Sequence, residues 1–276
     1  MAETGQFNKL KVIREVEFGV YLEGGRDGGI LLPKSEVPEG TRLGDSLQVF
    51  VYLDSNDMPI ATTRRPRAQV GQFASLKVVD VNQIGAFLDW GLPKDLFLPF
   101  NEQLKPLTVG DYVTVFLYLD NTDRIAATAK LEKHLESGED YPQGQLIELL
   151  VVRPTDIGYQ VIIDNRAMGL LHTQDIHRPV RSGQRMPGFI KQVREEDGKV
   201  DVMLEKPGYA RIDPLAQQVL KYLETRNGFC PLGDKSDPAA ISETFGVSKK
   251  AYKMAIGQLM KAGRISQDER GIHLKG

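Results

Sequence analysis

At 276 residues, with 41% hydrophobic and 26% charged positions, the chain has room for two or more domains and the composition of a globular protein. The net charge of −2 argues against an indiscriminate polyanion binder. One cysteine, Cys230, excludes an intrachain disulfide framework and a CxxC motif and points to a reducing, cytoplasmic setting. The start, MAETGQFNKL, lacks the basic and apolar regions of a signal peptide, and no run approaches the roughly 18 apolar residues of a spanning helix, so no membrane partner is expected.

In chain order, the first 67 residues read as short strands. Lys11–Arg14 leads to FGVYLEGG (Phe18–Gly25), then GGILLPKSE (Gly28–Glu36), a loop with Gly44-Asp45, a long apolar run LQVFVYLD (Leu47–Asp54), a turn, and IATT (Ile60–Thr63). Residues 68–131 repeat that order: FASLKVVDV (Phe73–Val81), GAFLDW from Gly85, DLFLPFNE (Asp95–Glu102), Val109-Gly110-Asp111, YVTVFLYLD (Tyr112–Asp120), then NTDR and IAATAK. Gly19 and Gly85, Pro33 and Pro99, and Gly44 and Gly110 are each separated by 66 positions. A constant offset over three landmarks is the mark of duplication. Residues 143–206 form a more diverged third copy, with Gly158, His172 and Gly183 each 73 positions beyond Gly85, Pro99 and Gly110. The acidic stretch Glu132–Gln143 reads as the link between the second and third copies. Five short strands in about 60 residues suit a small barrel whose closure removes exposed sheet edges.

These motifs, above all Gly85-Ala86-Phe87-Leu88, Val109-Gly110-Asp111, Asp120–Arg124 and Gly169-Leu170-Leu171-His172, resemble the S1 RNA-binding domain, an OB-fold. The resemblance implies RNA contacts from two aromatics around the GAF glycine, from the GLVH histidine, and from the Asp and Arg of D-x-x-x-R. Carried onto this sequence, the first copy has Phe18 and Tyr21 but Pro33 and Met58 at the other positions. The second has Phe87, Asp120 and Arg124 but Ile84 and Pro99. The third has His172 but Ile157 and Gln160. No copy is complete, so a composite surface is expected. Such aromatics stack bases with little sequence preference, while Arg and His supply donors. The third copy also has an acid-free basic stretch from Ile176 to Arg194, with Arg178, Arg181 and Arg185 as candidate phosphate contacts.

After Gly208 the apolar period changes from two to 3.6. Asp213-Pro214 begins a helix with Leu215, Val219, Tyr222 and Leu223 on one face, ended by Asn227-Gly228. Asp237-Pro238 begins a second helix, ended by Gly246. Ser248 caps a third, Lys249–Lys261, with Ala251, Met254, Ala255, Leu259 and Met260 as packing residues. Arg264–Ser266 and Gly271–Leu274 form a hairpin. This is a winged-helix pattern over 212–276, with Lys249, Lys250 and Lys253 where a helix-turn-helix reaches nucleic acid. Residues 207–276 hold eleven Lys and Arg against seven Asp and Glu.

The fold class expected is therefore mainly β with a C-terminal α+β module: three tandem five-stranded OB-fold (S1-like) barrels and a winged helix. That domain order resembles the bacterial conserved virulence factor B family, which implies an RNA-binding protein affecting gene expression and no enzyme. Phosphate-loop, nucleophile-elbow, zincin and dinucleotide motifs are missing. Asp54, Asp57, Asp120 and Asp123 read as hairpin-turn residues rather than metal ligands. No catalytic residue, cofactor or metal is assigned. Single-stranded RNA is the expected partner, with DNA at the winged helix as the alternative. A protein-interaction scaffold with degenerate S1 units, and a ribonuclease for which no carboxylate pair can be named, are the remaining readings.

Overall fold

The computed structural model describes residues 2–24, 29–138, 140–194, 198–205 and 214–275. The chain divides into two units, 1–203 and 204–276.

The first unit contains three closed five-stranded barrels. Strands β1 (Phe7–Val16), β2 (Gly19–Leu22), β3 (Ile30–Pro33), β4 (Ser46–Leu53) and β5 (Pro59–Thr62) close the first in the order β1-β2-β3-β5-β4. Strands β6 (Phe73–Val81), β7 (Gly85–Asp89), β8 (Leu96–Pro99), β9 (Tyr112–Leu119) and β10 (Ile125–Thr128) close the second in the same way. So do β11 (Leu146–Thr155), β12 (Gly158–Ile163), β13 (Ala167–His172), β14 (Arg185–Val193) and β15 (Val200–Met203). In each barrel the third and fifth strands pair in parallel, through Leu31 and Ile60, Phe97 and Ala126, and Leu170 and Asp201.

The conserved spacing of Gly19, Gly85 and Gly158 has a steric cause. A Cβ at these positions would lie 2.2, 2.4 and 2.0 Å from the carbonyl oxygens of Leu32, Leu98 and Leu171. Only glycine lets the second strand approach the third this closely. The first strand of each barrel carries a bulge at the matching place, between Val12 and Arg14, Val78 and Asp80, and Val151 and Arg153. A bulge bends the strand and re-aims the next side chain. It puts Arg14, Asp80 and Arg153 opposite Tyr21, Phe87 and Gln160.

The barrels share apolar cores. Phe50, fully buried, meets Phe7 at 5.5 Å and Trp90 of the second barrel at 5.7 Å between ring centroids. Burying such a ring contributes about 2–3 kcal/mol. Gln6 Nε2 donates to Val70 O at 2.7 Å, and the Phe7 amide donates to Gln69 Oε1 at 2.8 Å, across the same junction. At the next junction Phe73 and Leu131 pack with Leu150 and Ile162. Asn165 closes it twice, accepting from the Phe73 amide at 2.7 Å and donating to Gly71 O at 3.0 Å. The stretch expected as a link is packed down: Leu131 and Tyr141 are buried, and Glu136 pairs with Arg166 at 2.6 Å.

In the second unit, α1 (Pro214–Thr225), α2 (Pro238–Phe245) and α3 (Lys249–Lys261) pack with a sheet of β16 (Phe229–Cys230), β17 (Ile265–Gln267) and β18 (Ile272–Leu274) in the order β16-β18-β17. The expected Asp213 cap of α1 lies outside the described residues. Asp237 caps α2 by accepting from the Ala239 amide at 3.2 Å, and Ser248 caps α3 by accepting from the Ala251 amide at 3.3 Å. Gly246 ends α2 in the left-handed conformation. The apolar face of α3 matches the expected one at Ala255 and Leu259 and differs at the other positions. Tyr252, Ala255, Ile256 and Leu259 are buried, while Met254 is 70% exposed. The i, i+3, i+4, i+7 set starting at Tyr252 supplies the larger surface, and its hydroxyl reaches Leu232 O at 2.9 Å. Among the described residues no helix is long and apolar enough to cross a membrane.

Candidate nucleic-acid interface

The matching face of each barrel is built from the second and third strands and from the residue after the bulge. In the first barrel, Phe18 sits in the turn before β2 and is 58% exposed. Tyr21, one strand face on, meets it edge to face with centroids 6.4 Å apart. The Arg14 guanidinium lies over the Tyr21 ring at 4.2 Å. A cation on an aromatic face is attracted by the ring quadrupole. Among the described residues Arg14 takes part in no ion pair. This surface therefore offers two partly exposed rings and one positive charge in a fixed stack.

In the second barrel, Phe87 is half-buried and packs on Phe97, centroids 5.4 Å apart. The pair lines a groove of about 520 Å³ against the β4–β5 hairpin of the first barrel. Asp120 and Arg124 also line it, but both are already engaged. Asp120 organises its own turn, accepting from the Thr122 amide and hydroxyl at 2.7 Å each and from the Arg124 amide at 3.1 Å. Burial pushes its carboxyl up, yet these bonds and the Arg124 charge outweigh burial and hold it below the ordinary range. Asp54 organises the matching turn of the first barrel, accepting from the Asn56 and Met58 amides at 2.8 and 3.0 Å. Asp57 and Asp123 sit at φ of 60°, as the turn reading requires. The Arg124 guanidinium pairs with Asp57 across the barrel junction. Lys94 donates to Leu53 O and Asp54 O at 3.2 and 2.7 Å. Nearby, burial and then Asp89 and Asp80 push the Asp95 carboxyl up. The two cations of this groove thus fasten barrels together, among several carboxylates.

In the third barrel, His172 occupies the histidine position but its Nε2 lies 2.9 Å from Asp201 Oδ1. Asp201 is buried and also accepts from Gln192 at 2.9 Å and from Arg194 at 2.9 Å. Burial works against its charge, but the Arg194, Gln192 and His172 bonds prevail and bring its pKa to about 2. His172 is therefore held by an internal network.

The stretch that is acid-free in sequence is not acid-free in space. Arg185 pairs with Glu148 and donates to Phe73 O at 2.6 Å, bridging the second and third barrels. Lys191 pairs with Asp175 at 2.7 Å. Glu148 of β11 and Asp175, in the turn just before the stretch, supply the acids that the stretch itself lacks. Arg178 and Arg181 are exposed, and among the described residues neither is in an ion pair. On α3, Lys250 and Lys253 are exposed and Lys249 is half-buried, while Lys253 lies 3.9 Å from Asp234.

Two residues of these faces, Arg14 and Phe97, were not among the expected site residues. Arg14 was visible only as the offset partner of Asp80. Phe97 was visible as the outward residue of DLFLP, opposite Phe87.

The S1 domain model matches residues 4–64 and 70–130, and the CvfB-like winged helix domain model matches 217–274. Bacillus subtilis (strain 168) YitL is 33% identical, covering 96% of this chain and 91% of the relative. The chain belongs to the conserved virulence factor B family. Conserved virulence factor B of Staphylococcus epidermidis (strain ATCC 12228 / FDA PCI 1200) is 28% identical over 97% of this chain and 95% of its own. A solved multidomain protein with nucleic acid binding domains from Streptococcus pneumoniae TIGR4 aligns over 99% of this chain and 98% of its own, with 29% identity and a TM-score of 0.48. The third barrel lies outside both matched S1 spans, in keeping with its lost aromatics.

Proposed function

We propose that this family member is a non-catalytic, RNA-binding regulator that holds single-stranded RNA on the face of its first barrel. The observation that carries this reading is the Phe18–Tyr21–Arg14 stack, exposed and preorganised. Bases stack on such rings whatever their identity, and the guanidinium offers donors to phosphate. Phe87 and Phe97 extend the stacking capacity of the second barrel. Arg178 and Arg181 of the third barrel, and Lys249, Lys250 and Lys253 of α3, add basic surface for the sugar–phosphate chain. Asp120, Arg124, Arg185 and His172 act instead in holding turns, junctions and the third barrel's interior. A role in affecting gene expression is part of this proposal.

The test is fluorescence anisotropy of an unstructured oligoribonucleotide against the full chain over a salt series. Saturable binding that weakens as salt rises is expected. Absence of saturable binding at low salt overturns the reading. Competition with random and operator-like duplex DNA separates it from a DNA-binding winged helix, which predicts a specificity ratio well above one.

A further inference from the structure

The second and third barrels form a cleft of about 400 Å³ that includes Arg153 and Gln160 of the third barrel and lies apart from the aromatic faces of the first two. This volume is typical of small-molecule sites. Its floor is apolar, made by Leu107, Val113 and Leu131 of the second barrel with Val152 and Met168 of the third. Its rim holds Tyr112, 66% exposed, together with Lys105 and Arg153. Arg153 Nε donates to Gln160 Oε1 at 2.8 Å, which fixes the guanidinium plane. Among the described residues Arg153 is in no ion pair. Among the described residues Glu132 is the one carboxylate lining the cleft, against these two cations.

The wall contains an unusual group. Gln103 Nε2 donates to Leu98 O at 3.2 Å, while its Oε1 is shielded from solvent and has no hydrogen-bond partner among the described residues. A buried acceptor left unpaired is costly, and such groups call for an explanation. A ligand N–H entering the cleft would supply the missing donor after a small rotation of the amide.

We propose that this cleft is a nucleotide-binding pocket. The base lies on the apolar floor against Tyr112 and donates to Gln103 Oε1, and the phosphate meets Arg153 and Lys105. The combination of flat aromatic rim, amide acceptor and paired cations selects a nucleoside phosphate over an acyl chain, which has no use for the amide. The nucleotide comes either from the free pool or from one position of an RNA strand. The site is separate from the Phe18–Tyr21–Arg14 face, so the free-pool source stands or falls independently of the proposed RNA binding, whereas the strand source rests on it.

The experiment titrates the full chain with AMP, GMP, CMP and UMP, and separately with a short unstructured RNA, followed by amide chemical shifts. For the free-pool source, at least one mononucleotide saturates with shifts at Tyr112, Val113 and Gln160. For the strand source, only the RNA shifts these amides. In either case Arg153→Glu weakens the effect by about tenfold, and Phe18→Ala with Tyr21→Ala leaves the mononucleotide response unchanged. Gln103→Leu raises the thermal midpoint of the free protein while weakening the ligand response, which a purely structural glutamine would not do. Absence of shifts at the cleft with every probe, or shifts indifferent to Arg153→Glu, overturns the proposal.

Discussion

The first and third barrels share strand order, bulge position and glycine contact, yet their equivalent faces differ in chemistry. In the first, Arg14 lies over Tyr21 beside an exposed Phe18. In the third, Arg153 bonds to Gln160, and Ile157 stands where Phe18 stands. His172, an S1-type residue retained there, is turned to a buried carboxylate. One scaffold thus carries exposed rings on its first barrel and a polar face on its third. The backbone is fixed by steric contacts that tolerate little change, whereas the outward side chains are free to diverge.

Replacing Phe18 and Tyr21 together by alanine should break the comparison most visibly. Loss of two stacking rings is expected to weaken RNA binding by at least about thirtyfold, measured by anisotropy at fixed salt. An unchanged affinity would make the two faces equivalent after all.

Asp201→Asn probes the opposite side of the comparison and concerns stability. The folded pKa of about 2 lies below the ordinary 3.8. The group therefore stabilises the fold fully above about pH 4, and this contribution is lost as pH falls through about 2, a difference of about 2 kcal/mol. Urea unfolding should show the variant destabilised by about that amount at pH 7, with the gap closing near pH 2. A gap independent of pH would show that the carboxylate charge is not what Arg194, Gln192 and His172 hold.

A smaller effect is expected from Arg14→Ala. RNA affinity should fall by about three- to tenfold, with the salt slope reduced by about one.

The smallest effect belongs to Arg124→Ala. The residue matches the S1 motif, but it spends its charge on Asp57 across the barrel junction. Exposed pairs contribute about 0–1 kcal/mol, so a slight loss of stability in urea is expected, with RNA affinity changed by less than about twofold. A large loss of binding would return Arg124 to the interface.

Much of the fold was legible before any coordinates. The 66- and 73-residue offsets marked three units because the Gly–carbonyl contact, the bulge and the hairpin turns demand particular residues at fixed separations. The caps at Asp237 and Ser248 were equally plain, since a short oxygen side chain before a helix satisfies exposed amides. The packing face of α3 was misplaced because methionine and alanine suit either side of a helix, and only the neighbouring helices and sheet decided that Tyr252 faces inward.

The interface was harder to read. Sequence alone determined that the chain repeats an S1-like barrel three times, ends in a winged helix, and keeps its aromatics in the first two copies. Tertiary structure decided which of the charged residues are spent. Arg124, Arg185, Lys191 and His172 look available in a linear pattern, yet acids distant in sequence reach each of them. A strand's local pattern encodes which face a side chain takes, through a two-residue period. It does not encode which strand of which barrel lies opposite, and Coulomb attraction depends on that distance alone.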